Sequence, residues 1–172
     1  ARAGILPFSL DDDFGFTDYV EWALDVPMYF IVRDGRYHDC THVTFRQFMA
    51  GALKGEVAAW EPTLGDWTNH LSTLFPDVRL KRFLEMRGAD GGPWSRICAL
   101  PAFWVGLLYD SQALDAAWDL VKGWDMAGRE ALRSSVPKLG LDAPLPGGGT
   151  LRDIAAEVLA IARSGLNARG RL

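Results

Sequence analysis

The stretch RLKRFLEMRGADGGPW, residues 79–94, concentrates side chains that can handle charge: Arg79, Lys81, Arg82 and Arg87 surround Glu85, and glycines follow. Alternation predicts a strand over 77–87, with Leu80, Arg82, Leu84 and Met86 on one face and Arg79, Lys81, Phe83, Glu85 and Arg87 on the other. The first face suits a helical layer. The second has two readings. It is either the solvent-facing side of an antiparallel sheet or the floor of a cleft. In a cleft, Glu85 can offer oxygen to a metal and Arg87 can grip a phosphate or carboxylate with its planar fork. The turn GADGG would let backbone approach a ligand closely.

A second constellation is HDCTH, where His38, Cys40 and His42 would share one side of an extended strand. That is a conceivable transition-metal set, but the spacings of structural zinc sites are absent. His70, beside Asn69, reads as a surface or cap residue. No Ser–His–Asp arrangement is visible.

The elements that must position these residues follow from punctuation and periodicity. LPFSLDDDFGFTDYVEWALD carries an acidic triplet, Asp11–Asp13, ahead of a helix with Phe16, Tyr19, Val20 and Ala23 on one stripe. Pro27 ends it. MYFIVRDGRYHDC predicts a hairpin turning at Asp34-Gly35. Thr44 with Gln47, and Thr63 with Asp66, are capping boxes opening two short helices. From Pro93 onward the pattern is helical, with Ser111 and Thr150 as caps, Ile97–Tyr109 as a buried helix and Cys98 as a small core residue. LDAPLPGGG, residues 141–149, is a linker before one last helix.

The 172 residues are enough for one domain burying roughly 70% of its unfolded surface, and we take 1–172 as a single domain. Hydrophobic residues make up 49% and charged residues 23%, which is globular rather than disordered composition. A net charge of −4 argues against nucleic acid as a partner. No apolar run reaches the roughly 18–20 residues a bilayer demands, so no membrane partner is expected. Two cysteines are too few for a disulfide framework, which makes a reducing, cytoplasmic setting the default. The chain does not begin with Met, opening on Ala-Arg-Ala-Gly and ending on Arg-Gly-Arg-Leu, and we expect a piece of something longer.

The segments VRLKRFLEMRGADGGPWSRICALPAFWVGLLYD, DDDFGFTDYVEWALDVPMYF, DCTHVTFRQFMAG and WTNHLSTLFPDVRLKR closely resemble the glutamate–cysteine ligases of plants and many proteobacteria, the first enzymes of glutathione synthesis. The resemblance implies an α+β, glutamine-synthetase-like fold, in which an antiparallel sheet forms a funnel with helices outside. It implies ATP and Mg²⁺, with glutamate and cysteine as substrates. It also favours the cleft reading: Glu85 matches a metal-ligand glutamate and Arg87 a phosphate-side arginine, with Lys81 and Arg79 on the same face. Met28 and Tyr29 fall near the cysteine-binding side. Plant members pair the cysteine at the Cys40 position with one fifteen residues on; here Gly55 stands there, so that disulfide cannot form.

The resembling ligases are much longer. The expectation is therefore a C-terminal portion, inactive alone, whose natural partner is its missing N-terminal half. Unpaired sheet edges would favour association, including homo-oligomers. The competing class is a noncatalytic helical module that binds a partner chain.

Overall fold

The computed structural model describes residues 2–11 and 13–170; Asp12 of the acidic triplet and the end residues Ala1, Arg171 and Leu172 lie outside the described residues. Helices and three two-stranded sheets make the chain α+β. Contacts divide it into two compact units, Ala1–Gly88 and Ala89–Leu172, where composition and length suggest one.

In the first unit, β1 (Ala3–Gly4) leads to α1 (Phe16–Asp25), which starts where Asp18 accepts from the Gly15 amide at 2.8 Å. Of the expected stripe, Tyr19 and Ala23 are buried, while Phe16 is 77% exposed. β2 (Phe30–Arg33) and β3 (Arg36–Asp39) form the expected antiparallel hairpin. Asp34 and Gly35 both adopt positive φ, 52° and 73°, as a two-residue turn matched to strand twist requires.

α2 (Phe45–Met49) and α3 (Leu64–Ser72) begin at the two capping boxes. The Asp66 carboxylate of the second box also accepts from Arg33 Nη1 and Nη2, at 2.6 and 2.7 Å, which ties α3 to β2. Met28, Ile31, Cys40, Val43, Phe45 and Phe48 form the core beneath this hairpin. β4 (Phe75–Pro76) pairs in parallel with β1, so Ala3 is held beside Phe75.

The quoted stretch departs from the expectation of one strand. β5 (Val78–Leu80) and β6 (Leu84–Met86) are two arms of an antiparallel hairpin, bent at residues 81–83. Lys81 donates to the Phe83 carbonyl at 2.9 Å across the tip, and Arg87 to that of Asp77 at 2.8 Å at the base. Alternation survives the fold because partners have the same parity: Val78 faces Met86, Arg79 faces Glu85 and Leu80 faces Leu84. Lys81, Arg82 and Phe83 leave both faces and stand exposed at the tip.

The second unit is helical, as expected: α4 (Ala99–Leu108), α5 (Ser111–Val121), α6 (Met126–Leu139) and α7 (Leu151–Ala168). Gly106 of α4 and Gly165 of α7 permit a close crossing, since a Cβ on either would overlap backbone of the opposite helix. Thr150 caps α7 as expected, and Asp153 completes a capping box with it. The cap of α5 is Asp110 rather than Ser111; its carboxylate accepts from the Ala113 amide at 2.9 Å. The apolar α4 is not a buried helix: α5 and α7 cover one side, only Gly106 and Leu107 are buried, and Cys98 is exposed rather than a core residue. No single helix among the described residues is long and apolar enough to cross a membrane.

Candidate functional site

The charged face of the β5–β6 hairpin is built around one buried cation. Arg79 is only 7% exposed. Its Nε donates to Glu85 Oε2 at 2.6 Å, while its Nη1 donates to the Ser72 and Leu74 carbonyls, each at 3.3 Å. Arg79 therefore fixes Glu85 relative to the end of α3. Arg87 reaches the same Oε2 through Nη1 at 3.3 Å. Both guanidinium groups lie against the Phe75 ring, 5.5 Å from its centroid for Arg79 and 5.1 Å for Arg87.

Two arginines on one carboxylate leave one net positive charge. The Arg79 hydrogen bond holds the Glu85 carboxyl below its ordinary range; partial burial opposes this, and Arg87 and the nearby Lys81 charge reinforce it. Glu85 is thus an anion at neutral pH. Arg87, half-buried at its side chain, keeps further donors for an external anion.

The opposite face is apolar. Leu80 and Leu84 join Leu6, Phe14, Phe16 and Tyr19 around a cleft of about 360 Å³.

The other candidates separate. Met28 is a core side chain, 1% exposed, with no surface to offer a substrate in this chain. Tyr29 is 42% exposed and lies beneath the Arg2 guanidinium, 3.4 Å from its ring centroid. Arg2 also bonds the Pro27 carbonyl and Thr73, and its own carbonyl accepts from the Phe75 amide at 2.9 Å. A continuous path thus runs from Tyr29 through Arg2 and Phe75 to Arg87. No local signal in the sequence marks Arg2 or Phe75, because their roles come from a parallel pairing about seventy residues apart.

HDCTH does not assemble. Cys40 is buried, His38 packs edge-on against Trp60 at 4.6 Å, and His42 is exposed. Burial pushes the Cys40 thiol up, away from ready ionisation. His70 is no surface residue. It is 3% exposed, donates from Nε2 to the Ala23 carbonyl at 2.8 Å and stacks on Phe45. Its surroundings are apolar, so burial lowers its pKa despite that hydrogen bond.

A divalent cation can be tested against this face. Both arginines bond Oε2 of Glu85, and Oε1 takes no hydrogen bond among the described residues. An ionised carboxylate can serve a hard cation as one ligand, but two arginines already pair with this one and leave the face net positive. It is no complete site, since no group of three or more His, Cys, Asp or Glu able to hold a metal occurs among the described residues.

The family model described as glutamate–cysteine ligase family 2 (GCS2) matches residues 1–172. The chain belongs to this family. Glutamate–cysteine ligase family 2 relatives include the chloroplastic glutamate–cysteine ligases of Brassica juncea and Arabidopsis thaliana, each 58% identical over 98% of this chain and 32% of the relative. Ligase A of Oryza sativa subsp. indica is 56% identical over 98% of this chain and 34% of the relative. The chain thus spans about a third of the length of the curated relatives it matches. Their chloroplastic designation overturns the cytoplasmic expectation. Unpaired cysteines speak of redox state, not of compartment.

Proposed function

We propose that this chain is a C-terminal portion of an ATP-dependent glutamate–cysteine ligase with a glutamine-synthetase-like fold. Its two units would be parts of one catalytic domain completed by an N-terminal portion. The supporting observation is identity of 55–58% over almost the entire chain to relatives named glutamate–cysteine ligase.

In this reading ATP phosphorylates the γ-carboxylate of glutamate, and the cysteine amine then displaces phosphate from the acyl phosphate. Arg87 is in this reading the catalytic cation and would hold the transferred phosphate bidentately, as Lys could not. Lys81, at the mobile end of a long aliphatic stem, adds positive potential at the ATP side. Glu85 would be one of the carboxylates that hold Mg²⁺, the others coming from the rest of the polypeptide. When bound, Mg²⁺ would offset charge accumulating on the transferred phosphoryl group. Tyr29 lies toward the cysteine side, with Met28 supporting it from the core. Nothing in this chemistry needs a nucleophilic side chain. Glutamate, cysteine and ATP are the proposed partners, with the remaining ligase polypeptide covering the exposed strand edges and homo-oligomers a further consequence of such edges.

The test is phosphate release. The full-length protein should release phosphate from ATP with Mg²⁺ only when glutamate is supplied, and should form a glutamate–cysteine dipeptide. The 172-residue chain alone should stay at background. Robust turnover by the isolated chain would contradict the fragment reading, and no dipeptide from the full-length protein would contradict the ligase reading.

A further inference from the structure

We propose that the Arg2 guanidinium, seated on the Tyr29 ring, is a subsite for the carboxylate of an amino-acid substrate. The proposal rests on the ligase reading, which supplies two amino acids, glutamate and cysteine, each carrying an α-carboxylate. It is independent of the charged face of the β5–β6 hairpin.

The arginines of the first unit differ in how their charge is met. Arg33 and Arg79, both withdrawn from solvent, each face a carboxylate at 2.6 Å. Arg2 is half-buried as well, yet it forms no ion pair with any described residue. Its guanidinium lies 3.4 Å from the centroid of the Tyr29 ring, and every oxygen it bonds is uncharged. Nη1 donates to the Thr73 carbonyl at 3.2 Å and to the Thr73 hydroxyl at 3.1 Å, and Nη2 donates to the Pro27 carbonyl. Withdrawing a charge from water without a counter-charge is costly, and burial lowers the Arg2 pKa accordingly.

Those hydrogen bonds leave part of the fork open. A guanidinium has five N–H donors. Three are used, so the Nε–H and one Nη2–H remain. These neighbouring nitrogens can grip a carboxylate bidentately. Tyr29 is 42% exposed, and its hydroxyl takes part in no hydrogen bond among the described residues. Both residues are held by their backbones: the Tyr29 carbonyl accepts from the Cys40 amide at 3.0 Å, and the Arg2 carbonyl from the Phe75 amide at 2.9 Å. The platform is therefore in place before a ligand arrives. A single cation suits a singly charged, planar carboxylate, whereas a nucleotide phosphate carries more charge than Arg2 can offset.

The experiment compares full-length wild type with Arg2→Met, which keeps an aliphatic stem on Tyr29 but removes the charge and the fork. kcat/KM is measured for cysteine and for cysteamine, which lacks the carboxylate. It is also measured for glutamate and for 4-aminobutyrate, which lacks the α-carboxylate of glutamate. Arg2→Met should lower kcat/KM about tenfold or more for one amino acid and leave its decarboxylated analogue nearly unchanged. The amino acid that responds identifies the carboxylate. A merely structural role would lower both members of each pair alike. Equal loss within both pairs, no loss in either, or a loss confined to ATP would overturn the proposal. Should Arg2→Met fail to fold, or an analogue turn over too slowly to compare, the wild-type Arg2 Nε–H resonance decides. It should move downfield on saturation with cysteine or with glutamate, and a resonance that neither moves would overturn the subsite. Dipeptide formation by the wild type reports separately on the ligase reading. An active wild type whose Arg2→Met variant fails to discriminate within either pair would sink this inference alone.

Discussion

The two hairpins described in the first unit are built on opposite principles. β2–β3 is closed by Asp34-Gly35 in the left-handed region and places Ile31 and Cys40, both 0% exposed, in the core. β5–β6 has no residue of special φ at its tip and leaves Phe83 63% and Leu84 59% exposed. Its register is held instead by the cross-strand Arg79–Glu85 ion pair. The first hairpin anchors itself through Ile31 and the adjoining Cys40, while most of β3 stays exposed. The second keeps one face charged and the other lining an open apolar cleft. Hydrophobic burial fixes a strand pair irrespective of function, whereas a buried cation with its carboxylate is worth keeping where something charged must be held.

Substitutions that exchange the expected sensitivities would break this contrast. The largest effect should come from Ile31→Ala, which removes a fully buried side chain and should cost about 2–5 kcal/mol in urea unfolding. Leu84→Ala, at the corresponding exposed arm, should cost under about 1 kcal/mol. A comparable loss at both positions would mean that the second hairpin is also held by burial.

The turns should differ next. Gly35→Ala forces a Cβ into φ 73°, at a cost of roughly 1–2 kcal/mol. Arg82→Lys at the other tip is exposed and should stay within about 0.5 kcal/mol. Paired denaturation curves check both.

His70 gives a pH signature to the core beneath α1. Its folded pKa is lowered by burial, so its neutral form is favoured in the native state. That contribution is fully present above the unfolded value near 6.5 and is lost as pH falls from there toward the folded pKa. Unfolding free energy between pH 7.5 and 5.5 should therefore decline, with a slope from this group of at most ~1.4 kcal/mol per pH unit. His70→Gln should flatten that decline; an unchanged slope would assign it elsewhere.

Redox chemistry should have the smallest effect. Cys40 is buried with its thiol pKa raised, and Gly55 stands at the position where the resemblance to plant members puts the pairing cysteine. Dithiothreitol and oxidant should leave full-length activity unchanged, with alkylation reporting Cys40 reduced throughout. A reversible change tied to a Cys40 disulfide would contradict this.

Local chemistry was legible in the sequence wherever a short pattern determines structure alone. The Asp34-Gly35 turn, the capping boxes of Thr44 and Thr63 and the cap at Thr150 are such cases, because each is completed within a few residues. The parity of the charged stretch was also legible, and it survived the unexpected bend at 81–83. The bend itself was hidden, since Lys81, Arg82 and Phe83 carry no turn preference. Long-range partners were illegible for another reason. Arg79 reaches carbonyls at the end of α3, Arg2 reaches Tyr29, and His70 is buried by an α1 carbonyl 47 positions away. No periodicity encodes those distances. Cys98 was misplaced because an apolar helix does not reveal how many neighbours cover it.

The central claim is that the charged face of the second hairpin meets the substrates, and the most direct measurement is turnover of full-length Glu85→Gln across a Mg²⁺ titration. The substitution keeps size but removes the charge of a partly exposed carboxylate. Turnover should fall on the order of a hundredfold, with partial recovery at high Mg²⁺ and little change in unfolding temperature. Unchanged turnover and unchanged Mg²⁺ dependence in Glu85→Gln would contradict the account and leave the ion pair of Arg79 and Glu85 as a strand fastening alone.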